Sequence, residues 1–387
     1  MKKHFDLIIF FFLLLSPLID CLTGVQERFN IPFSIGVIVR GIVMVLAMYY
    51  LFKNSKNRNN IYLFLVYLII ELIYTYAYLR TSIFSEFKNV IVIFYLPFMI
   101  LFFNYYRNEK IDNKLMLIIN FVYLFLIVIP FLFGFGFNTY TGEDGKSAFL
   151  GFFYDGNELS ALLILLLPIS IDYMIKNKEY LHLASYIFLY LLSIVIVGTK
   201  VLLLGTFIVI LYFFIRKLMT VEKKKRLILT LGILTFIGIT ISVLPFTPVY
   251  KNLIISMDYY GVKSLFDLFK PKFIDNIIFS NRIAFAIEVF KTFGSSALYI
   301  IFGIGKSMLM NIKDVEIDIM DIFYSIGVAG TIIYLYTFGK NVFKISGVYK
   351  FTFILLFIIS LFSGHILIKP MVATFLSVMF LLDYNTP

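Results

Sequence analysis

The amino-acid sequence predicts an all-α integral membrane protein with about twelve transmembrane helices. The chain of 387 residues is 61% hydrophobic and only 15% charged, whereas soluble domains average about half apolar and about a quarter charged residues. Its apolar residues form continuous runs, which favours helices over the alternating pattern of a membrane barrel. We expect residues 1–387 to form a single polytopic membrane domain.

Twelve apolar runs are predicted as membrane spans. The first follows a short basic region, as in a signal peptide, but its length and the lack of a small-x-small cleavage site predict an uncleaved helix. Several runs are shorter than the roughly 20 residues of a straight span, which leaves the count open by one pair. The predicted spans cover residues 5–25, 33–52, 61–84, 90–106, 115–135, 159–173, 183–197, 201–214, 227–244, 322–338, 351–366 and 371–382.

The distribution of lysine and arginine predicts the orientation. With the N-terminus inside, most basic residues fall in inner loops such as "KNSKNR", "RNEKIDNK" and "RKLMTVEKKKR", as the positive-inside rule requires. Both termini are then cytoplasmic, and residues 245–320 form a large outer loop between the ninth and tenth spans. This topology and anionic lipid headgroups explain the net charge of +11, so no nucleic-acid partner is expected.

The outer loop contains the stretch "SNRIAFAIEVFKTFGSSALYIIFGIG", headed by Arg282. Ser280 or Asn281 is predicted to cap a helix there, because both residue types accept hydrogen bonds from orphan backbone amides. Apolar residues recur at near-helical spacing, which predicts an amphipathic helix. The helix has two interpretations: a lid or interfacial packing helix, or a support for Arg282 as an anion ligand.

Ionisable residues inside the spans are costly and usually face a partner or a cavity. Asp20 and Arg40 lie at similar depth in the outer halves of the first two spans, which predicts a buried ion pair. The alternative is that Arg40 contributes to an anion site. Glu71 lies in the middle of the third span and is predicted to be a hydrogen-bonded packing group.

Three further outer features carry polar side chains. "GFFYDGNELSALLILLLP" places Asp155, Asn157 and Glu158 at the head of the sixth span, and "GTKVLLLG" places Lys200 at the outer membrane surface. The alternative for Lys200 is a side chain that extends to the lipid headgroups.

The third feature is "KDVEIDIMDIFYSIGVAG", at the start of the tenth span. Asp314, Asp318 and Asp321 share one helical face, and Glu316 joins Asp314 and Asp318 if the lead-in is extended. A solvated acidic lead-in and a divalent-metal site are the alternatives, and the metal site lacks a fixed spacing motif. His4, His182 and His365 are scattered, so no zinc site and no cofactor are expected.

Charges of both signs on the outer side indicate a substrate that is both anionic and hydroxylated. Arg282, Lys200 and Arg40 are predicted to neutralise a diphosphate. Carboxylates are predicted to accept the proton of an attacking hydroxyl group.

These motifs, in this order over about residues 14–330, resemble the O-antigen ligase and polymerase family, particularly its Gram-positive branch. The motifs that carry the resemblance are "SPLIDCLTG", "GVIVRG", "GFFYDGNELSALLILLLP", "VGTK", "NRIAFAIEVF…FGIG" and "EIDIMDIFYSIGVAG". The resemblance implies a membrane glycosyltransferase of the GT-C type that makes cell-surface polysaccharide. Its implied partners are an undecaprenyl-diphosphate-linked oligosaccharide, the lipid bilayer and other polysaccharide-assembly proteins.

The resemblance also implies roles for individual residues. Arg282 stands at the position of the family's outer-loop arginine, and Lys200 stands where many relatives carry arginine. Glu316 occupies the position where many relatives carry histidine, so Glu316 and Asp318 are predicted as candidate bases. Sugar contacts are predicted for four residues: Asp155, Asn157, Glu158 and Asp321.

A lipid-linked glycan flippase or another multispan transporter is the alternative function. The two halves of the chain show no convincing repeat, and the large loop is on one side only, which disfavours a transporter built from repeats. No Walker-type phosphate loop is present in the sequence. The sequence leaves open the choice between polymerase and ligase, and the identity of the sugar.

Overall fold

The computed structural model describes residues 2–31, 34–53, 58–138, 148–262, 264, 266–267, 270, 273–313, 315–342, 345–364 and 366–385. In these ranges ten helices are long and apolar enough to cross a membrane. Two shorter apolar helices, Gly347–Ser363 and Pro370–Tyr384, follow near the C-terminus. The prediction of an all-α integral membrane protein is therefore confirmed.

The helices follow the predicted runs in chain order. The first nine long helices are α1 (Lys2–Arg28), α2 (Ile35–Lys53), α3 (Arg58–Tyr74), α4 (Ile83–Tyr105), α5 (Asn113–Phe133), α6 (Gly156–Lys176), α7 (Tyr180–Val197), α8 (Lys200–Thr220) and α9 (Lys223–Val243). The remaining helices are α10 (Pro248–Tyr259), α11 (Arg282–Phe293), α12 (Ala297–Phe302), α13 (Lys306–Ile312), α14 (Asp318–Val342), α15 (Gly347–Ser363) and α16 (Pro370–Asn385).

The end of the third predicted span differs from the structure. Helix α3 continues as a π-helical turn, Thr75–Leu79, and ends at Arg80, whose backbone is left-handed with φ 54°. Ser82 then begins α4, since its side chain accepts a hydrogen bond from the amide of Ser85. The prediction of one span over residues 61–84 was wrong at its outer end, because this cap starts a new helix there.

A short antiparallel hairpin precedes α6. Strand β1 (Phe137–Asn138) pairs with strand β2 (Phe149–Gly151). The Asp155 side chain then caps α6. The hairpin therefore leads directly into the N-terminal end of a buried helix.

The core lies where α4, α6 and α16 pack together. Most residues of α4 and α6 are buried inside the protein, unlike those of α8 and α9. An apolar helix surrounded by other helices needs no polar face, which explains the unbroken run of leucines and isoleucines in α6.

Helix α14 is broken at Gly327, whose backbone has φ 60° and ψ −168°. The carbonyls of Tyr324 and Ser325 accept hydrogen bonds from the amides of Ile304 (2.9 Å) and Gly305 (3.1 Å). A Cβ atom at position 327 would lie 2.5 Å from the Gly303 amide nitrogen, so only glycine fits. The "FGIG" segment of the predicted outer loop is thereby attached to the break in α14.

Candidate active site

A cavity of about 690 Å³ lies among the ends of five helices. It is lined by the C-terminal end of α1 and by the N-terminal ends of α2, α4, α6 and α16. All five are the helix ends that the basic residues predict to be outside. Its charged lining residues are Asp20, Glu27, Arg40, Lys88, Asp155, Glu158 and Lys369.

Four helix N-termini at one cavity favour a negatively charged ligand. Each N-terminus carries about half a positive charge and unpaired amide groups. The Asp155 carboxylate occupies two of these groups, since it accepts hydrogen bonds from the amides of Asn157 (2.7 Å) and Glu158 (3.2 Å). The helix N-termini and the cations described next therefore both attract a negatively charged ligand.

Arg40 forms the buried ion pair that the sequence predicts. Its side chain donates to Asp20, which also accepts a hydrogen bond from the Tyr123 hydroxyl. Arg40 is only 6% exposed and lines the cavity. Its Nε atom is buried and has no hydrogen-bond partner among the described residues. The ion pair is thus confirmed, and it lies at the cavity.

Lys88 and Lys369 are two cavity residues that the sequence analysis missed. Glu27, which also lines the cavity, interacts electrostatically with both lysines and with Arg40. The three cations are therefore close enough together to act on one ligand. A signal for the lysines was present: both lie at helix ends predicted to be outside, where the positive-inside rule makes lysine less frequent.

Two carboxylates at the cavity, unlike those of Asp20 and Asp155, accept no hydrogen bond from the described residues. Glu27 and Glu158 line it, and neither carboxylate makes a hydrogen bond to a residue that the structure describes. Glu158 interacts electrostatically with Lys369 and Arg40. A carboxylate that faces a cavity without a fixed donor is able to accept a proton from a ligand.

Arg282 begins helix α11 and is 8% exposed. Its Nη1 atom donates to the carbonyl of Phe362 (2.7 Å), and its Nη2 atom donates to the Glu316 carboxylate (2.6 Å). The Glu316 side chain is 42% exposed. The predicted phosphate ligand and the predicted base are thus partners of one another.

The predicted cap of α11 was wrong. Ser280 and Asn281 have left-handed backbones, with φ 55° and 65°, and Asn281 makes no side-chain cap. The Asp275 carboxylate instead accepts hydrogen bonds from the amides of Ile283 and Ala284, both at 3.0 Å. Capping from a distant residue leaves no local sequence signal.

The acidic residues at the start of α14 bind backbone amides. One oxygen of Asp318 accepts hydrogen bonds from Ile366 and Leu367, both at 2.8 Å, and Asp318 is 1% exposed. Asp321 likewise accepts from the amides of Val315 (3.2 Å) and Glu316 (3.1 Å). Asp314, which was predicted to belong to this acidic cluster, lies outside the described residues. His365, one of the three scattered histidines, also lies outside them.

Lys200 is the first residue of α8, after the Thr199 cap. Its ammonium group donates to the carbonyl of Ile277 in the predicted outer loop at 2.6 Å. This contact connects the N-terminal end of α8 to the π-helical turn Ile274–Ile278.

The structure therefore divides the predicted site residues into two groups. Arg40, Asp155 and Glu158 line the cavity, and Asn157 lies beside them at the start of α6. The remaining residues do not line it: Lys200, Arg282, Glu316, Asp318 and Asp321. In the described ranges no three His, Cys, Asp or Glu side chains are grouped closely enough to hold a metal ion. The roles of individual residues stay predictions.

Comparison with known proteins identifies the family. A family model described as "O-antigen ligase like membrane protein" matches residues 2–267, which is more than half of the chain. The chain belongs to the O-antigen ligase-like membrane protein family. No curated protein and no solved structure matches it.

Membership of the O-antigen ligase-like family indicates a multi-pass membrane protein with a role in polysaccharide ligation or polymerisation. The matched range includes Arg40, Lys88, Glu158 and Lys200 and ends before Arg282. The family match therefore covers four of the five helix ends at the cavity, and α16 lies outside it.

Proposed function

We propose that this protein is a membrane glycosyltransferase that polymerises or ligates surface polysaccharide repeat units carried on undecaprenyl diphosphate. The reaction takes place in the cavity, on the outer face of the cytoplasmic membrane. The observation that carries the proposal is the convergence of four helix N-termini with Arg40, Lys88 and Lys369 around one cavity. The family match supports the reaction class.

A diphosphate is the group that this cavity suits best. Helix N-termini bind phosphate through backbone amides, and Arg40 supplies a guanidinium whose geometry matches phosphate oxygens. Lys88 and Lys369 add two further positive charges at the cavity. Negative charge that develops on the departing diphosphate is stabilised best by such preorganised cations in a site with little water.

The lining also suits a lipid carrier. Ile38, Phe84 and Phe87 line the cavity and are among its exposed apolar residues, at 49%, 64% and 38% exposure. In a membrane such side chains face acyl chains. A prenyl tail can therefore remain in the bilayer while its diphosphate lies among the cations.

Glu158 is the carboxylate that the geometry favours as the general base. It removes the proton of the acceptor hydroxyl group as that oxygen bonds to the anomeric carbon, and the bond from that carbon to the diphosphate breaks. The electron pair leaves with the diphosphate. Glu158 lines the cavity without a hydrogen-bond partner in the described chain. Glu316 pairs with Arg282 instead, and Asp318 binds two backbone amides.

The test is product analysis with purified protein in lipid vesicles. Lipid-linked repeat units are added alone or with a separate glycan acceptor, and products are measured by mass spectrometry. Longer lipid-linked chains identify a polymerase, and transfer to the added acceptor identifies a ligase. Movement of intact lipid-linked glycan across the vesicle membrane with no new glycosidic bond would refute the proposal and support the flippase alternative.

A further inference from the structure

The connection between α15 and α16, residues 364 and 366–369, reaches the cavity at Lys369 and is contacted by the predicted outer loop. At its start, Arg282 binds the carbonyl of Phe362 in the last turn of α15 (2.7 Å). Further on, one carboxylate oxygen of Asp318 binds the amides of Ile366 and Leu367. His365 lies outside the described residues.

A third contact to the same connection is the close approach of the Gly364 and Glu316 backbones. Gly364 has a left-handed backbone, φ 61°, and a Cβ atom at this position would lie 2.6 Å from the Glu316 carbonyl oxygen. The Glu316 backbone is in turn held by Asp321, which accepts its amide hydrogen at 3.1 Å. The backbones of Gly364 and Glu316 are therefore in direct contact.

Lys369 is the residue at which this connection meets the cavity. Lys369, Pro370 and Met371 are consecutive lining residues. Pro370 starts α16, and the Lys369 carbonyl accepts a hydrogen bond from the amide of Ala373 (3.0 Å). Position 369 is thus held on one side by α16 and on the other by Leu367, two residues earlier, whose amide donates to Asp318.

The contacts of Asp318 are suited to precise positioning. Its carboxylate is 1% exposed, and hydrogen bonds from amides to a buried carboxylate are short, charge-assisted and strengthened by the low local dielectric. Loss of such an acceptor leaves two buried amides unsatisfied, so the connection has to move to recover partners.

We propose that Asp318 and Arg282 are positioning residues, which hold the connection so that the Lys369 ammonium group contacts the donor diphosphate in the cavity. This inference rests on the proposed function, because it assigns the ligand of Lys369 in the same cavity. It gives the predicted outer loop a role in the reaction although its polar residues do not line the cavity.

Binding of farnesyl diphosphate to the full-length protein in nanodiscs tests the inference without glycosyl transfer. Lys369→Met should raise the Kd about tenfold or more, because a charged hydrogen bond is lost. Asp318→Ala should also raise the Kd, whereas Asp318→Asn, which keeps an acceptor oxygen, should bind nearly as well as the unmodified protein. The double variant Lys369→Met with Asp318→Ala should bind no more weakly than Lys369→Met alone, since residues that act as a unit are not additive.

Asp383→Ala is the matched control. Asp383 holds the amide (3.2 Å) and hydroxyl (2.8 Å) of Ser346 from the opposite end of α16, so its loss should leave the Kd unchanged. If Asp318→Ala does not fold, Arg282→Met replaces it in the single and the double variant, because it releases the Phe362 carbonyl.

Three results would overturn the inference: unchanged binding in Lys369→Met, full additivity in the double variant, or equal losses in Asp318→Asn and Asp318→Ala. Absence of farnesyl diphosphate binding by the unmodified protein would also overturn it, while the product assay would still decide the proposed function. Conversely, the expected binding pattern without any new glycosidic bond would refute the proposed function and leave the diphosphate contact of Lys369 in place.

Discussion

Arg282 and Glu316 form a salt bridge of 2.6 Å between two segments of the predicted outer loop. The Arg282 side chain is 9% exposed, and that of Glu316 is 42% exposed. Because the same guanidinium also holds the Phe362 carbonyl, the pair connects the start of α11, the lead-in to α14 and the end of α15.

The first prediction separates these two contacts by stability. Glu316→Gln removes an ion pair with one partner well exposed, and such pairs contribute about 0–1 kcal/mol. Arg282→Met also leaves a carbonyl without its donor, which costs about 1–3 kcal/mol when the group is buried. We expect Arg282→Met to lower the thermal unfolding midpoint in detergent more than Glu316→Gln does. Equal midpoints would show that the Phe362 contact contributes nothing.

The second prediction concerns the general base. Glu158→Gln preserves shape and removes the proton acceptor, so kcat should fall by about 10²–10⁴-fold while farnesyl diphosphate still binds. Glu316→Gln should lose much less, because Glu316 does not line the cavity. The measurement is initial rates of glycosidic bond formation at saturating donor.

If Glu316→Gln lowered kcat more than Glu158→Gln, Glu316 would be the general base, as the family resemblance implies. Glu27→Gln serves as the comparison within the cavity. Glu27 also lacks a hydrogen bond to the described chain, but it is exposed at the end of α1, where water competes for the same proton.

The third prediction concerns Lys88. This residue is exposed at the cavity, so its attraction for a diphosphate is screened by salt. Lys88→Gln should raise the KM for the lipid-linked donor about tenfold, in line with loss of one charged hydrogen bond, and should weaken the salt dependence of KM. Lys291→Gln, on an exposed face of α11 outside the cavity, should change neither quantity.

Sequence reasoning predicted the helices well because burial in lipid imposes long apolar runs, and these are visible locally. It also predicted the Asp20–Arg40 pair, since two charges at equal depth in adjacent spans have few other partners. It missed Lys369 as a site residue because the cavity forms from helix ends more than 300 residues apart in the chain. It misassigned the α11 cap for a similar reason: Asp275 reaches the helix only through a turn that the local pattern does not reveal.

The fourth prediction tests Lys200. Its ammonium group donates to the Ile277 carbonyl, so Lys200→Met should increase hydrogen–deuterium exchange in the turn Ile274–Ile278 and leave the KM of the donor nearly unchanged. The methionine keeps the length and apolar part of the side chain. A raised KM with unaltered exchange would instead support the predicted role of Lys200 as a diphosphate ligand.

The fifth prediction uses the Asp20–Arg40 pair to detect the diphosphate. Asp20→Asn leaves the buried Arg40 guanidinium without a counter-charge, a change that costs about 3–5 kcal/mol when one partner of a buried pair is removed. A diphosphate in the cavity supplies negative charge at the same guanidinium, and a ligand that binds only the folded state stabilises it in proportion to its affinity. We therefore expect farnesyl diphosphate to raise the unfolding midpoint of Asp20→Asn by more than it raises that of the unmodified protein.

Tyr123→Phe removes the other hydrogen bond to Asp20 but keeps both charges, so its ligand-induced shift should equal that of the unmodified protein. Farnesol, which lacks the diphosphate, should shift none of the three. A shift in Asp20→Asn no larger than in the unmodified protein would mean that Arg40 serves only to pair with Asp20, and that Lys88 and Lys369 bind the diphosphate without it.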